Sequence, residues 1–391
     1  DTDTFNEIDD QFAIAYLLRA GADIRTAAIY AAPFFNANST SPADGMEKSY
    51  DEIHKVLALL GTGVPVFRGS TQFLPDEKTP VVSAAAEDLA ARAMRYSPKH
   101  PLYVVAIGAI TNIASALLLA PQIAENCVVV WLGGNARHYA DNREFNLMQD
   151  IAAARVVMQS GVPFVQLPCL GVVDAFTLSK PEIEYWLLGK NPLADYLGKN
   201  TIAAAEKYAR GAWTRVIWDV TAVAWLCNAG DRFMASRLLP TALPTYDHRY
   251  AAADGATMRY VYSIHRDALM TDLIEKICIL ILRKSPKKRQ AKEEEIPEAV
   301  RRSLVFVRQH YREKIRLSDA AQKAGLSESY FSSVFHACMG VTFSEYMLNY
   351  RLSLAKRMLE EGNMSSKEVG AACGFFSYSY FLTAFRQKYG V

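Results

Sequence analysis

The last third of the chain repeats itself with a period of about fifty residues. Tyr330-Phe331, Phe335 and Gly340-Val341 return as Tyr380-Phe381, Phe385 and Gly390-Val391. Upstream of these, Ala321, Gly325 and Leu326 match Gly370, Gly374 and Phe375. Each copy reads as a short helix, a glycine turn and a second helix that opens on a serine. That pattern leaves few folds open. It points to two tandem helix-turn-helix units in an all-α segment, a form suited to double-stranded DNA.

In the first copy Leu317, Ala320, Ala321 and Ala324 keep helical spacing, and Gly325 supplies the freedom a sharp turn needs. Ser327 stands where an N-cap belongs, with Phe331, Val334, Phe335 and Cys338 as an apolar stripe behind it. In the second copy Val369, Ala372, Gly374 and Phe375 lead to Ser377, then to Tyr380, Phe381, Ala384 and Phe385. Ala321 and its counterpart Gly370 would let the paired helices cross closely. The aromatics hold the buried faces and read as core rather than as base-stacking groups. Facing away are Glu328, Ser329, Ser332, Ser333 and His336, then Tyr378, Ser379, Leu382, Thr383 and Arg386, the candidates for major-groove contacts. A solvated face with a few phosphate contacts fits about half of them equally well. Between the copies, residues 343–361 read as one helix with Tyr346, Leu348, Leu352, Ala355 and Leu359 inward. Such a spacer would set the two second helices about one DNA turn, roughly 34 Å, apart.

Charge supports the division. From Pro297 onward thirteen Lys/Arg stand against eight Asp/Glu, a net of +5, while the whole chain is +2 and the first 296 residues therefore −3. A basic tail on a mildly acidic body agrees with DNA binding confined to the C-terminal part. With Ala324-Gly325-Leu326-Ser327, Tyr330-Phe331, Arg351 with Ala355, and Gly374-Phe375 leading to Tyr380-Phe381, residues 297–391 resemble the DNA-binding domain of the AraC/XylS family. The resemblance implies a transcription regulator whose DNA-binding unit follows a ligand-binding domain. Regulators of this kind often work as homodimers, although the chain displays no heptad seam.

The first domain, residues 1–282, alternates short apolar strands with helices. Strands are expected at residues 24–31, 64–67, 102–106, 128–132 and 164–167. Helices are expected at 10–19, 46–60, 82–96, 112–119, 151–160 and 219–228, and residues 273–282 read as the last apolar helix. Helical crossovers between strands imply an open, mostly parallel α/β sheet with its site at the strand carboxyl ends. The charged stretch that follows, through residue 296, reads as a solvated linker.

Polar residues gather at those strand ends: Asp1, Asp3, Asp9 and Asp10; Thr111-Asn112; Gly133-Gly134-Asn135; Glu144-Phe145-Asn146; and Asp219 behind Trp218. One or two of the aspartates could simply cap the first helix. Four crowded carboxylates also repel unless a cation neutralises them, and a hard divalent ion with oxygen ligands, Ca²⁺ above all, would do so.

Asp1-Thr2-Asp3 with Asp9-Asp10, Thr111-Asn112, Glu144-Phe145-Asn146 and Asp219 resemble the nucleoside hydrolase family, which cleaves the N-glycosidic bond of ribonucleosides with the help of Ca²⁺. By that resemblance Asp3 is metal ligand and general base, Asp10 and Asp219 are metal ligands, and Thr111 coordinates through its backbone carbonyl. Asp9, Glu144 and Asn146 would hold the ribose hydroxyls. Two features depart from the pattern. The segment between Asp3 and Asp9 is two residues longer than in the commonest version, and Trp218 stands where a base-protonating histidine often precedes the last aspartate. Trp218 either stacks on a base or packs in the core; His138 lies in the loop where a second base-facing histidine would be sought. The expected function is a regulator whose first domain senses a nucleoside or ribose-like ligand; the alternative is an active ribonucleoside hydrolase with a regulatory tail.

The six cysteines show no metal-ligand spacing and sit mostly in apolar runs, as thiols of reducing compartments do. No apolar run is long enough to span a bilayer and no signal peptide opens the chain, so a cytoplasmic protein is expected. The start at Asp1 without methionine reads as truncated, the strand that should run into it as missing, and the end at Val391 as clipped. A chain with that strand restored is expected to melt higher.

Overall fold

The computed structural model spans residues 1–391 and describes all but 22–23, 279–299, 301, 304–305, 308–309, 340, 361–363 and 390–391. The chain divides into two compact units, Asp1–Leu282 and Arg283–Val391. The expected linker lies mostly outside the described residues.

In the first unit the order is α1 (Asp9–Leu18), β1 (Ile29–Ala31), α2 (Pro42–Leu60), β2 (Val66–Arg68), α3 (Ala84–Ala93), β3 (Leu102–Ala106), α4 (Thr111–Leu119), β4 (Cys127–Leu132), α5 (Phe145–Gln149), α6 (Ile151–Gln159), β5 (Phe164–Leu167). There follow β6 (Thr177–Ser179), α7 (Lys180–Trp186), α8 (Pro192–Glu206), β7 (Thr214–Val216), α9 (Val220–Trp225), β8 (Met234–Pro244), β9 (Tyr250–Ile264) and α10 (Arg266–Cys278). The main sheet has the order β3-β4-β5-β9-β8; its first four strands are parallel, with Val104 opposite Val129 and Val130 opposite Val165, and β8 closes it antiparallel. β1 and β2 form a separate parallel pair. Asp1 and Thr2 pair across the space between: Thr2 exchanges bonds with Tyr30 and Ala32, Asp1 with Val105 and Ile107. Beyond them lies a cavity of about 770 Å³, lined by residues 24–30 on one side and 101–105 on the other.

Three expectations need correction. The first strand was expected from residue 24 but begins at Ile29, because residues 24–28 face that cavity without a ladder partner. The long hairpin β8–β9 was not anticipated: Pro240 and Pro244 interrupt β8, and prolines argue against a strand in sequence although an antiparallel edge tolerates them. Helices α7 and α8 were also missed, although Pro-led first turns and the Asn191 cap on Ala194 mark both starts.

The second unit's described helices are α11 (Leu317–Ala324), α12 (Glu328–Met339), α13 (Phe343–Glu360), α14 (Ser366–Ala372) and α15 (Tyr378–Tyr389). Gly325 (φ 72°) and Gly374 (φ 83°) make the two turns in the left-handed region. Two small cores result, one around Phe331, Phe335, Phe343 and Met347, the other around Leu352, Ala355, Phe381 and Phe385. α13 contributes to both, so one helix joins the two helix-turn-helix units. The side chain of Arg351 fastens it further, donating to the carbonyls of Tyr311 (2.8 Å) and Glu313 (2.6 Å). Gly370 is required small: a Cβ there would lie 3.0 Å from the ring of Phe381. No helix among the described residues is long and apolar enough to cross a membrane.

Candidate functional site

Three segments deliver the carboxylates to one place. A tight turn, closed by Asn6 N–H donating to the Asp3 carbonyl (2.7 Å), carries Asp3 and leads into α1. The first two residues of α1 are Asp9 and Asp10, and Asp219 stands at the N-cap of α9. All four are between 1% and 4% exposed. Oxygens of Asp9, Asp10 and Asp219 lie within 4.8 Å of one another. Asp9 accepts the backbone N–H of Asp219 at 3.4 Å, and Asp10 accepts the hydroxyl of Thr2. Asp3 faces Gly108, where a Cβ would lie 3.1 Å from its carboxyl carbon. Its Oδ2 is buried without a hydrogen-bond partner.

Burial raises the pKa of all four groups, and repulsion from neighbouring carboxylates adds to it, from within the cluster for Asp3, Asp9 and Asp219 and from Glu7 for Asp10. Asp10 is pushed up to about 7, with the Thr2 hydroxyl pulling the other way. Asp3, Asp9 and Asp219 are held well above the ordinary carboxylate value, by burial first and neighbouring carboxylates next. The donor set is all oxygen, compact and short of positive charge. It fits a hard divalent cation.

The carboxylates line one end of a cavity of about 250 Å³. Glu144 and Asn146 line it as well, each fixed by the backbone. Glu144 accepts N–H bonds from Gly134 (2.8 Å), Asn146 (2.9 Å) and Leu147 (2.9 Å), capping α5, and Asn146 donates to the Leu132 carbonyl (3.0 Å). Burial raises the Glu144 pKa and these bonds oppose the rise. Trp218 lines the cavity and at the same time packs on the main core, so the two roles considered for it do not exclude each other.

Two expected residues do not line this cavity. Thr111 is buried in the first turn of α4, its hydroxyl donating to Asp150 (2.7 Å), while Ile107, just after β3, does line it. His138 is exposed, with its ring against Tyr139, and is also absent from the lining. Asn135, from the glycine-rich turn after β4, lines the cavity as well, and Asn6, Arg143 and Cys169 line it without having been expected there. Cys169 follows β5, so its place at a strand carboxyl end was the available signal. Burial, then the nearby Glu144 and Asp219, hold the Cys169 thiol well above its usual pKa.

In the second unit the expected contact residues Ser329, Ser332, Ser333 and His336 on α12, and Tyr378, Ser379, Thr383 and Arg386 on α15, are all exposed. Several satisfy themselves locally: Ser333 donates to the Ser329 carbonyl (3.1 Å), Thr383 to that of Ser379 (3.0 Å), and Tyr378 shares a hydrogen bond with Ser366 (2.7 Å). Leu382 does not face away but packs against the second core. Tyr380, read as core, is 56% exposed, as is its counterpart Tyr330 at 60%, because each precedes its buried phenylalanine by one residue, about 100° around the helix.

The family described as inosine-uridine preferring nucleoside hydrolase matches residues 1–300, and a helix-turn-helix domain of AraC type matches residues 320–391. The chain is 37% identical over 86 residues to the probable transcriptional regulator LumQ of Photobacterium leiognathi, covering 22% of this chain and 35% of that protein. It is 31% identical over 159 residues to the non-specific ribonucleoside hydrolase RihC of Salmonella newport, covering 39% of this chain and 49% of that one. The chain thus spans about half the length, or less, of these curated relatives. Its fold is that of the purine-preferring ribonucleoside hydrolase from Gardnerella vaginalis, at 20% identity and a TM-score of 0.57, over 70% of this chain and 96% of that one. The chain belongs to the inosine-uridine preferring nucleoside hydrolase family.

Proposed function

We propose that this chain is a DNA-binding transcription regulator whose first unit binds a ribonucleoside or ribose-like ligand together with Ca²⁺. The observation that carries the DNA reading is α13. One helix supplies both small cores, so α12 and α15 present their exposed polar faces from a single frame. The net +5 of this part of the chain and its similarity to a probable transcriptional regulator support the same conclusion. Binding should be measured on fragments upstream of the protein's own gene at increasing salt. Steeply salt-dependent retention is expected; absence of retention on every fragment overturns the reading.

In the first unit, Asp3, Asp10 and Asp219 would hold the ion, with Asp9 shared between it and the sugar. When bound, the ion would supply the positive charge that four buried carboxylates lack, and would make a nearby water more acidic. Glu144 and Asn146, locked by backbone bonds, would orient the ribose hydroxyls, and Trp218 would offer a flat face to the base. Homodimer formation, expected of such regulators, is read out by sedimentation of the full chain.

The hydrolytic reading rests on Asp3. Its unpartnered Oδ2 and raised proton affinity suit a group that takes a proton from water in the cavity. Free ribose released from inosine, and lost in Asp3→Asn while inosine binding persists, would establish hydrolysis. Binding without release leaves a sensor.

A further inference from the structure

We propose that α1 couples the carboxylate cavity to the last turn of α10, with Tyr16 and Arg19 as the positioning residues that make the connection. The inference rests on the reading of the cavity as a cation site.

α1 carries Asp9 and Asp10 at its N-terminal end, and its residues from Asp9 to Tyr16 are all buried. A buried helix of ten residues, about 15 Å long, moves as one piece. Its far end is tied to α10 by polar contacts in an otherwise apolar setting. The Tyr16 hydroxyl donates to Asp272 (2.5 Å), which also receives Lys276 and Arg232 (3.2 Å). The Lys276 ammonium lies 4.4 Å over the Tyr16 ring. Arg19, the C-cap of α1, donates to the carbonyls of Lys276 (3.1 Å) and Ile277 (2.8 Å) in the last turn of α10. α10 is the last described helix of the first unit and ends at Cys278, just before the boundary at Leu282.

Tyr16 is 0% and Asp272 7% exposed. Buried ionic groups add little net stability where apolar groups would serve; what they fix is geometry. Here they fix the end of α1 against the helix that leads out of the unit. A cation that relieves repulsion among Asp9, Asp10 and Asp219 alters the forces on the N-terminus of α1, and the helix passes the change to Lys276 and Ile277. The device needs no contact between the two units. It requires only that the last turn of α10 have two states that the cavity biases differently.

Hydrogen exchange of the full chain with and without saturating calcium tests this. In the unaltered protein calcium should slow exchange both at the start of α1 and in residues 274–278, the latter by about fivefold or more, the lower end of ordinary coupling. In Arg19→Ala, and in the milder Tyr16→Phe, protection of α1 should persist while the response of residues 274–278 is lost. A last turn of α10 that ignores calcium in the unaltered protein, or responds equally in both variants, overturns the inference. Absence of protection at α1 itself means that no cation binds, and the cation reading fails along with it.

Discussion

The two units keep their functional groups in opposite places. Among the described residues the first unit buries eight carboxylates, Asp3, Asp9, Asp10, Glu52, Glu144, Asp150, Asp219 and Asp272. Among its described residues the second buries one polar side chain, Ser303, and exposes every polar residue expected to contact DNA. The first unit is thus organised around charges that its fold makes unfavourable, and the second around two apolar cores that leave its surface free. One unit should respond strongly to ions and protons. The other should respond mainly to losses of packing.

The largest test of that contrast is Phe381→Ala. Phe381 is 1% exposed and contacts Gly370, Phe375 and Phe385, so truncation leaves a cavity in a core of few residues. A loss of about 3–5 kcal/mol is expected, enough to unfold the second helix-turn-helix. Circular dichroism melts should show the first unit's transition unmoved. If that transition shifts equally, the units are not thermodynamically separate and the contrast fails.

Calcium should do the converse. At a hundredfold excess over its dissociation constant a ligand stabilises the folded state by about 2.7 kcal/mol. The first unit's melting point should rise on calcium addition and fall on chelation, and Asp10→Asn should blunt the response. An equal shift of the second unit's transition would show that the ion acts elsewhere.

How legible all this was in the sequence differs between the units in the same way. The second unit's stripes, glycine turns and spacer were readable because helical periodicity and burial coincide there. Among the described residues the reading failed at Tyr380 and Leu382, where one residue's rotation decides the face. In the first unit the acidic segments were visible, but their convergence depends on non-local packing of α1, α9 and the strand ends. Thr111 and His138 do not line the cavity, since adjacency to a motif does not fix which side of a loop a side chain occupies. The β8–β9 hairpin was hidden by prolines that an edge strand tolerates.

Protons sharpen the comparison further. Asp10 has a folded pKa of about 7 against an ordinary value of 3.8, and its three neighbours are also raised. Between these values the folded state binds more protons than the unfolded chain. Without calcium, the stability of the first unit should therefore fall as pH rises from about 4 towards 7. Chelated protein should melt higher at pH 6 than at pH 7.5, and saturating calcium should flatten or reverse that slope. The second unit buries no carboxylate among its described residues and should show little change over the same range.

The smallest effect belongs to the surface of the second unit. Arg386 is exposed in the last turn of α15, and its removal should leave the melting curve almost unchanged. If its role is a phosphate contact, Arg386→Ala should weaken DNA binding similarly on all fragments and reduce the salt slope by about one. If it reads a base edge, the loss should be about 1–3 kcal/mol on the preferred sequence and smaller on others, relaxing specificity at one position. Titrations of two unrelated fragments at two salt concentrations separate these outcomes. A melting shift as large as that of Phe381→Ala would instead place Arg386 in the packing and contradict the division between a buried frame and a free surface.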